Sequence, residues 1–151
     1  MSARTLSVLG VDPGSRRCGW GVVRLDLVTR KITHGDNGVL QLDEKQDLGV
    51  RLVELARRLD EVIIDTQPDV GAVEDVFHGK AARSALVLGQ ARGACLATLG
   101  LRGLEVAHHT TTQVKARVTG RGRASKQQVS EMVCLLLGLK AYGIGPGDEV
   151  I

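Results

Sequence analysis

The stretch Leu6-Ser7-Val8-Leu9-Gly10-Val11-Asp12-Pro13-Gly14 decides the fold. A short, mostly apolar run ends in a carboxylate and a Pro-Gly turn, the pattern of a buried strand that terminates in an acid. A second run of the same design, Val70-Gly71-Ala72-Val73, leads into Glu74-Asp75. If the two strands are parallel neighbours, Asp12 and Glu74 emerge side by side at the C-terminal edge of the sheet, where ligands of open α/β sheets bind. Two carboxylates so placed point to a metal site. Asp75, one residue further on, is turned to the opposite face by strand alternation and reads as structural.

Around these two strands the periodicity changes several times. Gly19–Arg24 and the stretch from Lys31-Ile32-Thr33-His34 through Val39-Leu40 read as two more strands joined by a polar connection, an antiparallel meander. Helical spacing follows: Leu48, Leu52, Leu55, Leu59 and Val62 form one stripe of an amphipathic helix across Asp47–Asp65, closed by Pro68. Arg83–Leu99 is a second helix, with Leu88, Ala91, Cys95 and Leu99 on one stripe and the small residues Ala85, Gly89, Gly93 and Ala97 on another. The small stripe can pack on the sheet or on another subunit, and both readings stay open. Leu104–Ala107 reads as a short strand and Thr111–Val118 as a short helix. Ser125 opens a last helix with Gln128 three positions on, a capping box, and Gly138 ends it. The order βββαβαβαα is that of a mixed sheet flanked by helices.

The 151-residue chain, 43% hydrophobic, suits one domain with its own core. It shows no apolar stretch of about 20 residues and no basic-then-apolar leader, so neither a membrane span nor a secretory signal is expected and the cytoplasm is the expected compartment. Cys18, Cys95 and Cys134 are odd in number and widely separated, which fits reduced core thiols better than disulfides or a zinc knuckle. The net charge of +3 is unevenly spread: Lys115, Arg117, Arg121, Arg123 and Lys126 lie between Val106 and Ser130 with no acid among them. Such a one-signed, glycine-containing stretch is a surface for a phosphate backbone, or else a solvated face balanced by acids elsewhere in the fold. His108-His109 diverge on any regular element and have no partner at zinc spacing.

Taken in order, Gly10-Val11-Asp12-Pro13-Gly14-Ser15, Gly19-Trp20-Gly21-Val22, Val73-Glu74-Asp75-Val76-Phe77, Leu88-Gly89-Gln90-Ala91-Arg92-Gly93, Gln113-Val114-Lys115 and Gly120-Arg121-Gly122-Arg123-Ala124-Ser125-Lys126 resemble the successive signatures of the RuvC family of bacterial Holliday junction resolvases. The resemblance covers almost the whole chain. It implies an RNase H-like fold with a five-stranded mixed sheet, a homodimer, cleavage of four-way junction DNA with two magnesium ions per site (manganese substituting), and cooperation with RuvA and RuvB. It implies Asp12 as the ligand bridging both metals and Glu74 as a ligand of one. Lys115 and Lys126 match positions beside the DNA and the reacting phosphate, and Phe77 matches one that stacks on a base near the junction centre. Phe77 as a core residue is the alternative. Lys80, Arg83, Arg117, Arg121 and Arg123 complete the expected DNA-contact set. The family carries two further acids in an Asp-x-x-Asp arrangement on a closing helix. Here Asp148 is the candidate third ligand, with Glu149 as its alternative, and Ile151 stands where a partner of Asp148 would be. The expectation is therefore a single nuclease domain over residues 1–151, ending inside its last catalytic helix and short of full activity.

Two other readings remain. Asp12-Pro13-Gly14-Ser15 with Gly19 and Gly21 also resembles the first phosphate loop of actin-like ATPases, which would need a second nucleotide-binding half. The other is a dimer that binds and opens junctions without cutting them.

Overall fold

The computed structural model describes residues 4–75 and 81–139. The element order follows the sequence pattern: β1 (Thr5–Asp12), β2 (Arg17–Asp26), β3 (Ile32–Gln41), α1 (Leu48–Thr66), β4 (Val70–Asp75), α2 (Ala82–Leu101), β5 (Glu105–Thr110), α3 (Thr111–Thr119) and α4 (Lys126–Leu137). The strands form one mixed sheet in the order β3-β2-β1-β4-β5. β1 to β3 are antiparallel neighbours, whereas β4 runs parallel to both β1 and β5.

Alternation along each strand sorts the sheet into two unlike faces. Leu9, Val11, Cys18, Val22, Leu40 and Val73 point to one side and form a single apolar cluster with Leu55, Leu59, Val62 and Ile63 of α1 and Ala91, Cys95 and Leu99 of α2. Leu9, Leu55, Leu59 and Leu99 are fully buried, each contributing about 1.5 to 3 kcal/mol by removal from water. Trp20 lies over Gly38, where an added Cβ would meet its ring at 2.8 Å. A bulge on β3 leaves Gly35 between the partners of Val22 and Val23.

On the other face the residues flanking the carboxylate positions are small: Gly10, Gly21 and Ala72. α3 and α4 pack on each other and reach β5 and β3 respectively. Ala124, Cys134 and Leu139 are buried outside the main cluster. Both helices open with complete capping boxes. Thr110 Oγ1 accepts from Gln113 N at 3.1 Å while Gln113 Oε1 accepts from Thr110 N at 2.9 Å, and Ser125 with Gln128 repeats the exchange at 3.1 and 2.8 Å. Gly120 and Gly138 close them in the left-handed conformation.

Three expectations change. β5 starts at Glu105 and runs on to Thr110, because the parallel ladder with β4 continues to Asp75↔Thr110. The small stripe of α2 does not pack on the sheet: Gly89, Gly93 and Ala97 are exposed and Ala85 is half-buried, and nothing lies within 4 Å of a Cβ at either glycine. Finally, α2 is long and apolar enough to cross a membrane by length and composition, with a mean hydropathy of 1.2 and 22% of that window buried. Its apolarity comes largely from its leucines, of which Leu99 is buried in the core while Leu86 and Leu101 are exposed, and it carries Arg92 in an ion pair. It is a core helix with one face uncovered.

Candidate active site

The β1–β4 ladder places Val11 opposite Val73, so the next residues, Asp12 and Glu74, stand beside each other at the ends of parallel strands. Val11 and Val73 belong to the helix-covered core. Alternation therefore directs Asp12 and Glu74 to the opposite face, with Asp12 exposed and Glu74 half-buried. Gly19 on β2 pairs with Asp12 and leaves that flank without a side chain. A phosphate can approach here without displacing bulk.

The turn after Asp12 is held from several sides. Pro13 is buried, Leu42 N donates to Arg16 O at 2.9 Å, and Arg51 of α1 donates from Nη1 to Ser15 O at 3.0 Å. Gly14 passes so close to the start of β2 that a Cβ there would sit 2.1 Å from Arg17 O. Behind Asp12, Cys18 and Cys95 are both fully buried. The adjacent Cys95 thiol, followed by burial and by the charges of Cys95 and Asp12, pushes the Cys18 thiol far above its ordinary value. It stays protonated and acts as packing, as expected for a core cysteine.

Asp75 points to the α2 side, where its carboxylate pairs with Arg92. The same guanidinium donates from Nη2 to His108 Nδ1 on β5 at 2.6 Å. β5 also brings His109 into register with Glu74, on the carboxylate face by alternation. Neither arrangement was visible from residue spacing. Asp75, Arg92 and His108 lie on three different elements, and the signal that could have exposed His109, the length and register of β5, depends on the ladder with β4.

The five cations of the basic stretch fall on α3 (Lys115, Arg117), on the connection after it (Arg121, Arg123) and at the first residue of α4 (Lys126). Lys115 is half-buried and the other four are exposed. None of them joins an ion pair among the described residues, whereas Arg57, Arg92 and Arg102 all face acids. Thr119 stiffens the connection: its Oγ1 donates to Lys115 O at 2.8 Å and accepts from Arg121 N at 3.1 Å. Arg83 is exposed near the start of α2. Phe77, Lys80, Asp148 and Glu149 lie outside the described residues.

Among the described residues no group of three or more His, Cys, Asp or Glu side chains converges as a metal cage. The donor set nonetheless fits a hard divalent cation, since magnesium is commonly held by one or two carboxylates with waters and substrate phosphate oxygens filling the other positions. Asp12 and Glu74 supply two such oxygen donors on an open edge.

The family described as crossover junction endodeoxyribonuclease RuvC matches residues 8–148. A crossover junction endodeoxyribonuclease RuvC from Oleidesulfovibrio alaskensis is 45% identical over 99% of this chain and 89% of its own length, and one from Trichlorobacter lovleyi is 46% identical over 97% and 81%. Thermus thermophilus RuvC, solved in complex with a Holliday junction substrate, superposes with a TM-score of 0.81 at 30% identity, covering 89% of this chain and 81% of that one. The fold is RNase H-like, and the chain belongs to the RuvC family of crossover junction endodeoxyribonucleases.

Proposed function

We propose that this protein is a structure-specific endonuclease that resolves four-way DNA junctions by paired, symmetric phosphodiester hydrolysis, in homologous recombination and repair. The observation that carries the reading is the placement of Asp12 and Glu74 one residue beyond the paired Val11 and Val73 at the ends of parallel strands, on a chain whose relative from Thermus thermophilus is known bound to a Holliday junction. Asp12 and Glu74 would hold two divalent cations, magnesium by preference and manganese as a substitute, with Asp148 or Glu149 as the candidate further ligand. The cations, when bound, stabilise charge on the attacking and leaving oxygens of a direct displacement by water.

The protein's own groups bind and orient the strand. Lys115, half-buried on α3, and Lys126, at the first turn of α4, are cations set to hold the scissile phosphate and offset developing negative charge. Arg117, Arg121 and Arg123 neutralise backbone phosphates, with Arg83 and Lys80 extending the contact and Phe77 stacking on a base near the junction centre. Homodimerisation supplies the second, symmetry-related cut. The exposed Gly89, Gly93 and Ala97 stripe of α2 is the candidate interface, because residues without bulk permit close helix approach. Cooperation with RuvA and RuvB and a cytoplasmic location, where free thiols stay reduced, complete the proposal.

The test is a labelled synthetic four-way junction with magnesium, beside Asp12→Asn and a linear duplex. Symmetric nicks in the junction alone, abolished by Asp12→Asn, are expected. Tight junction binding with no nicking at any magnesium concentration would overturn the nuclease reading in favour of a junction-binding dimer.

A further inference from the structure

Glu74 and Asp75 are the last two residues of β4 and leave it on opposite faces. The β1–β4 pairing extends to Val11↔Val73, so beyond it the end of β4 rests on β5, through Glu74↔His109 and Asp75↔Thr110. Rotation of this strand end about its own axis would swing both carboxylates together, in opposite senses. Whatever tethers Asp75 on the helix side therefore sets the direction of Glu74 on the other.

The tether is Arg92. Its guanidinium, 16% exposed, pairs with Asp75, 27% exposed, and its Nη2 sits 2.6 Å from His108 Nδ1. A guanidinium has donors and no acceptor, so His108 Nδ1 must accept, which puts the ring hydrogen on Nε2. One side chain thus ties α2, the end of β4 and the end of β5 at the level of the candidate site. The pair differs in kind from Arg57 with Glu54 and Glu61, which lies within α1, and from Arg102 with Asp60, which joins α1 to the residue closing α2.

We propose that Arg92 is a positioning residue for this site: by holding Asp75 and His108 it fixes the end of β4 so that Glu74 faces Asp12 and the pair can bind a divalent cation. This rests on the carboxylate reading above, and the test separates the two. Manganese binding to the DNA-free protein is measured by calorimetry, with melting temperature and single-turnover junction cleavage in parallel. The proteins are wild type, Arg92→Gln, Asp75→Asn, the double variant and, as control, Arg102→Gln. Arg92→Gln and Asp75→Asn should each weaken manganese binding about tenfold and slow cleavage by roughly 10 to 100-fold, the scale on which misplacement near 1 Å acts. Junction affinity should stay within about twofold, and the double variant should be no worse than either single one, the non-additivity of one shared interaction. Arg102→Gln should melt earlier yet keep manganese binding and cleavage. Unchanged manganese affinity in both Arg92→Gln and Asp75→Asn would overturn the proposal, as would equal losses of binding in Arg92→Gln and Arg102→Gln. Should wild type bind manganese but fail to nick junctions, the nuclease reading falls while the isotherms still decide the role of Arg92. A wild type that binds no manganese overturns both.

Discussion

Replacing Gly14 by alanine adds one methyl group in the turn that follows Asp12, and the geometry allows its effect to be worked through. The new Cβ would meet Arg17 O at 2.1 Å and Arg17 C at 3.2 Å. Both are backbone atoms, so no rotamer change relieves the overlap, and about 1 Å of main-chain movement is needed to restore ordinary contact. Arg17 begins β2 and is paired with Gln41, and Leu42 N holds Arg16 O. The β2 side is therefore stiff. The movement passes into the turn and to Asp12. Overpacking of this size costs about 1 to 3 kcal/mol of stability, or roughly 3 to 10 °C in Tm for a domain of this length. Displacement of a reacting group by about 1 Å costs roughly 100-fold in rate. Single-turnover junction cleavage and thermal melting measure the two effects, with Gly49→Ala in the first turn of α1 as control, since nothing lies within 4 Å of a Cβ there. Gly14→Ala that cleaves at the wild-type rate would refute the argument that this close approach aims Asp12.

Other expected outcomes follow from separate parts of the molecule. The Arg102 guanidinium, by hydrogen bonding first and charge second, holds the Asp60 carboxyl below its ordinary 3.8. A lowered folded-state value means that its stabilisation is complete above about pH 4 and is lost as pH falls further, through the depressed value. Asp60→Asn should thus flatten the acid limb of a Tm-against-pH curve, and an unchanged limb would show that the pair contributes nothing there. Removing Arg121 and Arg123 together should weaken junction binding and reduce the slope of log K against log salt by about 2; filter binding across a salt series checks this, and an unchanged slope rules out phosphate contact. Gly93→Leu should leave the folded monomer intact, because that surface is open, while light scattering shows loss of the dimer. Retention of the dimer would move the interface off this stripe of α2.

The parts of this architecture that were readable before the structure are those encoded locally. Apolar runs ending in Asp12 and Glu74, the stripe that buries Leu55 and Leu59, and the Ser125–Gln128 capping box each depend on residues within a few positions of one another. They appear where the pattern placed them. The Thr110–Gln113 box was equally local but was hidden, because β5 reads as ending at Ala107 and its polar tail, His108-His109-Thr110, does not look like strand. Only the ladder with β4 extends it. The contact of Arg92 with Asp75 and His108 was not legible at all, since it joins three elements whose proximity is a property of the sheet order. The exposure of Gly89 and Gly93 likewise depends on which side of α2 the core occupies, and small residues suit close packing on a sheet or on another subunit equally well, which leaves that choice to packing.

The central claim is that Asp12 and Glu74 act through oxygen-bound divalent cations on a phosphate of a four-way junction. The most direct measurement places sulfur in place of a non-bridging oxygen at the scissile phosphate and compares single-turnover cleavage in magnesium and manganese. Magnesium prefers oxygen, whereas manganese tolerates the softer ligand better. Cleavage of the sulfur-substituted junction should fall strongly in magnesium and recover in manganese, with Asp12→Asn inactive in both. Equal rates for the sulfur and oxygen junctions in magnesium, or cleavage retained by Asp12→Asn, would contradict the account.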